Sequence, residues 1–180
     1  MPTCVGFLRA INLGRNRKLA MGDLRTWLEE SGLNDVETYI HTGNVRFSTQ
    51  MRSRARIERY VEDALATNCG FEVSVISFTP KELRQVYDVA VGLASTTDPL
   101  DVRRYVTLLK EDPPAEAAAL VDGWDTAGER LKVVGRAVHW AVQGPTQQAR
   151  LSNARLEKVL GVGTTRDLKV ITTLAQRWGS

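Results

Sequence analysis

Apolar residues recur along this chain in two rhythms, and the switches between them outline a series of short elements. Residues 3–11 (TCVGFLRAI) form a β-rich run that ends at Asn12-Leu13-Gly14, and the polar stretch to Lys18 reads as a loop. Met21, Leu24, Trp27 and Leu28 then repeat three and four residues apart before Gly32, as in an amphipathic helix with a glycine stop. Residues 36–40 and 45–48 read as two strands around His41-Thr42-Gly43-Asn44, whose glycine and asparagine tolerate the positive φ of a tight hairpin. Ile57, Val61, Ala64 and Leu65 mark a helix over 52–68, and residues 72–78 alternate as a strand. The order is β-α-β-β-α-β, the split βαβ arrangement of ferredoxin-like folds.

Thr79-Pro80-Lys81-Glu82 has the form of a helix start with a capping box, predicting a helix to about residue 91. A polar connection with Asp98-Pro99 follows, and then the pattern begins again: a strand over 102–109, a helix opened by Asp112-Pro113-Pro114, and a hairpin of 131–134 with 137–142 around Gly135-Arg136. Residues 152–160 read as a basic amphipathic helix and 164–178 as another, with Thr164 at its cap. The expected fold is α+β, two ferredoxin-like halves with open, mainly antiparallel sheets covered by helices. The first subdomain is expected over 1–79, a helix and connection over 80–100, and a second subdomain ending in helices over 101–180.

Composition narrows the class. At 180 residues and 43% hydrophobic content the chain can bury a real core, and no run approaches the roughly 20 apolar residues of a membrane span. The N-terminus lacks the cationic start and apolar run of a secretory signal, so a cytoplasmic location is expected. Cys4 and Cys69 are too few for a disulfide framework and read as reduced thiols. His41 and His139 are far apart with no ligand spacing around them, so neither a metal nor a cofactor is expected. A net charge of +3 is modest but uneven: Arg9, Arg15, Arg17 and Lys18 have no intervening acid, and Arg46, Arg52, Arg54, Arg56 and Arg59 face only Glu58.

Four stretches offer chemistry. The loop from Arg9 to Asn16 combines glycine, two asparagines and two arginines ahead of a helix, a setting that can hold phosphate or carboxylate but matches no nucleotide fingerprint. His41 and Asn44 sit at a hairpin tip, where they could also serve the turn alone. Arg52, Arg56 and Arg59 share a predicted helix face that could contact nucleic acid or simply be solvated. Ser152-Asn153-Ala154-Arg155 and Thr164-Thr165-Arg166-Asp167 place hydroxyls and arginines at helix starts, which suits either an anion or ordinary capping.

Leu8-Arg9-Ala10-Ile11-Asn12-Leu13-Gly14 resembles the L-R-G-I-N-V-G opening of the bacterial domain-of-unknown-function 1697 family, and Thr38 to Phe47 resembles its T-Y-I-Q-S-G-N-V-V-F block. The segments from Leu151 to Leu156 and from Thr164 to Asp167 are similar to its serine-containing helix start and T-T-R-N-W segment. The resemblance implies two ferredoxin-like subdomains and no established activity. Ala10, His41-Thr42 and Asp167-Leu168 depart from the family pattern, and Asp167 would repel an anion.

These readings lead to a binding protein, rather than an enzyme, that holds a small anionic ligand or nucleic-acid phosphate through Arg9, Asn12, Arg15, His41, Asn44, Ser152, Thr165 and Arg166. The alternatives are an enzyme using His41 with the arginines, and an assembly protein pairing through sheet edges, with the oligomeric state open. The binding and enzyme readings require these distant turns to become neighbours.

Overall fold

The computed structural model describes residues 1–12, 17–94, 102–126, 128–144, 150 and 152–180. The chain divides into two compact units, Met1–Leu83 with Leu174–Ser180, and Arg84–Thr173.

In the first unit, strands β1 (Thr3–Leu8), β2 (Asn34–Tyr39), β3 (Asn44–Ser48) and β4 (Val75–Phe78) form an antiparallel sheet of order β2-β3-β1-β4. Helices α1 (Met21–Glu30) and α2 (Arg54–Cys69) cover the face that carries Cys4, Leu8, Val45 and Phe47, inserting Leu24, Leu28, Ile57, Val61 and Leu65. Val5, Phe7 and Phe78 alternate with these residues and are also buried. Both faces of β1 are therefore apolar, which is why its sequence shows no polar alternation. Ser53 caps α2 by accepting the Arg56 N–H at 3.4 Å, and Gly70 ends the helix in the left-handed region. Arg52 thus precedes the helix, so the predicted basic face of Arg52, Arg56 and Arg59 does not form on it.

The capping box at Thr79 is present, opening helix α3 (Pro80–Gly92). The Glu82 N–H donates to Thr79 Oγ1 at 3.2 Å while Glu82 Oε2 accepts the Thr79 N–H at 2.7 Å.

The second unit repeats the topology. Strands β5 (Val102–Leu109), β6 (Asp125–Thr126), β7 (Glu129–Val134), β8 (Ala137–Gln143) and β9 (Gly163–Asp167) form a sheet of order β6-β7-β8-β5-β9. Its last four strands occupy the positions of β2-β3-β1-β4. Helices α4 (Ala115–Asp122) and α5 (Asn153–Leu160) follow β5 and β8, and helix α6 (Leu168–Trp178) follows β9. The fold is therefore α+β with two ferredoxin-like halves. Residues 164–167 are strand, not the first turn of a helix: Thr164, Thr165 and Arg166 pair with Leu108, Thr107 and Val106 of β5. The cap of α6 falls instead to Asp167, whose Oδ1 accepts the Lys169 N–H at 2.7 Å.

Strand alternation sorts the second sheet's side chains. Tyr105, Leu109, Leu131, Val133, Val138, Trp140 and Val142 share the face packed with Val121 of α4 and with Leu156 and Leu160 of α5. The opposite face carries Arg104, Val106, Arg130, Lys132, His139, Ala141 and Arg166.

Candidate functional site

The structure brings three of the expected residues together at one end of the first sheet. Asn12 accepts the Leu19 N–H at 2.8 Å through Oδ1 and donates through Nδ2 to Leu19 O at 3.0 Å and His41 O at 2.6 Å. It closes its own loop and fastens that loop to the β2–β3 hairpin. Asn44, 0% exposed, donates through Nδ2 to Tyr39 O and Thr42 Oγ1, both at 3.0 Å. The Leu8 N–H reaches Gly43 O at 2.8 Å, and a Cβ on Gly43 would stand 2.7 Å from Leu8 Cβ, so the turn and β1 meet without room for a side chain. The two amides are thus engaged with the chain itself. The His41 side chain is exposed, Arg9 is half-buried with its N–H donating to Ser74 O at 2.9 Å, and Arg15 lies outside the described residues.

In the second unit the expected residues separate across the sheet. Ser152 caps α5 by accepting the Arg155 N–H at 3.3 Å. Thr165 Oγ1 lies 2.7 Å from Thr107 Oγ1 and also bonds Asn153 Oδ1, on the side of α4 and α5. Arg166 points to the other side, donating through Nη1 to Thr164 Oγ1 at 2.7 Å and Thr165 O at 3.0 Å. It is 7% exposed, and burial draws its guanidinium down to about 10. Asp167 alternates with Arg166, so the carboxylate expected to repel an anion belongs to the opposite face.

On the Arg166 side of this sheet lies a cavity of about 200 Å³, lined in part by Arg104, Arg130, Lys132, His139 and Ala141. Arg104 and Arg130 flank Ala141 across neighbouring strands, and Lys132 stands directly opposite His139 with its Nζ 2.8 Å from Asp122 Oδ2. Ala90, Leu93, Val106 and Leu168 supply apolar wall. His139 is 6% exposed, and neither ring nitrogen has a hydrogen-bond partner. Burial draws its imidazole down to about 4, so it is neutral at pH 7 and offers one N–H donor and one lone pair. Burial, and after it the Arg130 charge, also lower the Arg104 guanidinium. The arrangement can attract an anion and give its body a dry surface. Among the described residues no cluster of three or more His, Cys, Asp or Glu could hold a metal. The missed signal was alternation: Arg130 and Lys132 are two apart on β7 and face one way, but their meeting with Arg104 and His139 is set by strand pairing.

Residues 1–139 match the family described as "Protein of unknown function (DUF1697)". The chain belongs to the DUF1697 family. This DUF1697 chain is also similar in structure to the conserved bacterial protein SP0830 from Streptococcus pneumoniae, with a TM-score of 0.76 and 21% identity over 100% of this chain and 99% of that one. At that identity the likeness speaks for the fold alone. A comparison with curated protein sequences gives no match. The matched segment of the DUF1697 chain includes Arg104, Arg130, Lys132 and His139, whereas Ser152, Thr165 and Arg166 lie beyond it.

Proposed function

We propose that this DUF1697 protein binds a small anion on the cationic face of its second sheet, and that binding rather than turnover is its task. The observation that carries the reading is the placement of Arg104 and Arg130, with Lys132 in its pair with Asp122, around one cavity that also contains a buried, unpartnered histidine. Cations gathered beside low-dielectric walls attract a counter-charge more strongly than the same cations spread over a surface. Of the residues singled out in the sequence, Arg166 adds its charge to this face, while Asn12, Asn44 and Ser152 are assigned to holding turns and a helix start. A small ligand suits the site better than a nucleic-acid strand, because the cations surround a pocket instead of tracking an extended groove. The reading includes a cytoplasmic location. Free thiols at Cys4 and Cys69 are consistent with a reducing compartment, and among the described residues no helix is long and apolar enough to cross a membrane.

Thermal unfolding in the presence of phosphate, sulfate, nucleotides and carboxylates tests the proposal. A ligand at a hundredfold its Kd stabilises by about 2.7 kcal/mol, a rise of roughly 5–10 °C for a chain of this size. That rise should shrink with added salt and vanish in the Arg130→Glu/Lys132→Glu double variant. Absence of a shift with every anion class would end the proposal.

A further inference from the structure

We propose that the ligand of this cavity is a monocarboxylate with a compact apolar body, whose carboxylate accepts a hydrogen bond from His139. The inference rests on the anion-binding reading and names the chemical class of the ligand. Size is the first constraint. A cavity of about 150 Å³ accommodates benzene, so about 200 Å³ has room for one ring or a short acyl chain with its carboxylate. A nucleotide, with base, sugar and phosphate as separate bulky parts, exceeds that space.

Polarity is the second constraint. Ala90, Leu93, Val106 and Leu168 offer nothing to a fully hydrated inorganic anion, whereas they would cover an apolar ring or chain. The third is the orphaned imidazole. A neutral histidine buried with both nitrogens unsatisfied is costly, and a carboxylate oxygen at Nε2 or Nδ1 gives the N–H its missing acceptor.

The charges facing His139 also define a signature. Lys132 stands opposite it on β7, with Arg130 two residues away. Arg104 lies on β5, and Arg166 on β9 neighbours Val106, the β5 partner of His139. The cavity walls contributed by α3 and α6 are Ala90 and Leu168, both apolar, and among the described residues no carboxylate lines the cavity. The guanidinium charges on this face therefore oppose protonation of the imidazole, while the Lys132 charge is offset by Asp122, 2.8 Å from its ammonium. A bound carboxylate reverses that local field, so binding draws a proton from solvent onto His139 and both ring nitrogens become donors. Affinity should accordingly rise as the pH falls from about 8 to about 6, where the ligand stays ionised.

Isothermal titration of the full chain with benzoate, benzamide and phosphate, in buffers of different ionisation enthalpy, tests the inference. Benzoate is expected to bind at least about tenfold more tightly than either comparison ligand, with net proton uptake. His139→Gln should abolish the uptake and weaken benzoate by about tenfold. Ala141→Leu fills the space between Arg104 and Arg130 without removing charge; provided its circular dichroism is native, it should block benzoate. Should benzoate bind no better than benzamide, or bind Ala141→Leu equally well, the monocarboxylate assignment is wrong. Binding without proton uptake overturns the role of His139. If phosphate binds and benzoate does not, this inference fails while anion binding stands; if neither binds, both fall.

Discussion

Replacing Asn44 by alanine separates a residue that holds the fold from one that reads a ligand. Its carboxamide is fully buried and donates to Tyr39 O and Thr42 Oγ1 at 3.0 Å, so it ties the end of β2 to the hairpin turn. Each bond contributes about 1 kcal/mol net, and stranding the Tyr39 carbonyl adds part of a desolvation penalty of about 1–3 kcal/mol. Asn44→Ala should therefore destabilise by about 2–3 kcal/mol and lower the Tm by roughly 4–12 °C. Thr42→Val removes one acceptor and leaves the Tyr39 bond, so it should cost under about 1 kcal/mol. Thermal and urea unfolding measure both, and hydrogen exchange should report faster opening at Leu8, whose N–H is held by Gly43 O. A Tm change below about 1 °C combined with lost anion binding would refute the structural assignment and return Asn44 to a ligand-facing role.

Three further outcomes are expected. Glu82→Ala removes one arm of the Thr79 capping box and should cost about 1 kcal/mol, read by denaturation, with Glu82→Gln retaining part of it. Because burial holds the folded imidazole of His139 near 4, below an unfolded value of about 6.5, the unfolded chain takes up the proton first. The stability associated with a neutral His139 is therefore complete above about pH 6.5 and declines as the pH falls toward about 4, by at most about 3 kcal/mol. Unfolding curves of His139→Gln across that range should be correspondingly flatter. Burial, reinforced by Glu82, raises the Cys4 thiol, so a thiol reagent should modify Cys69 in the native protein and Cys4 only after denaturation.

The element order was legible wherever the signal is local. The Thr79-Pro80-Lys81-Glu82 start, the Gly43-Asn44 turn and the three- and four-residue spacing in α1 and α2 each fix a conformation with neighbouring residues alone. Strand β9 was not legible, because Thr164 followed by Asp167 satisfies a capping pattern, while its strand identity comes from β5, across the 58 residues that separate Thr107 from Thr165. The separation of the expected site residues was not legible for a related reason. An asparagine at a turn carries the same sequence signal whether its amide faces a ligand or, as at Asn12 and Asn44, its own backbone. His139 sits among apolar neighbours on β8, and its cationic surroundings belong to strands contributed by other parts of the chain.

The route of the polypeptide constrains how the protein can be taken apart. Pro80–Leu83 of α3 belongs to the first unit and the rest of that helix to the second; α6 passes back, with Leu174–Trp178 rejoining the first. Within that first unit the buried Trp178 indole donates to Glu37 Oε2 at 3.1 Å, and Arg177 lies over the Tyr39 ring at 5.3 Å. A gene truncated after codon 83 would therefore encode an incomplete module, missing its tryptophan fastener. Topologically the second unit is an insert within the first, and a faithful excision would have to stitch the C-terminal heptapeptide back on by circular permutation or supply it as a peptide.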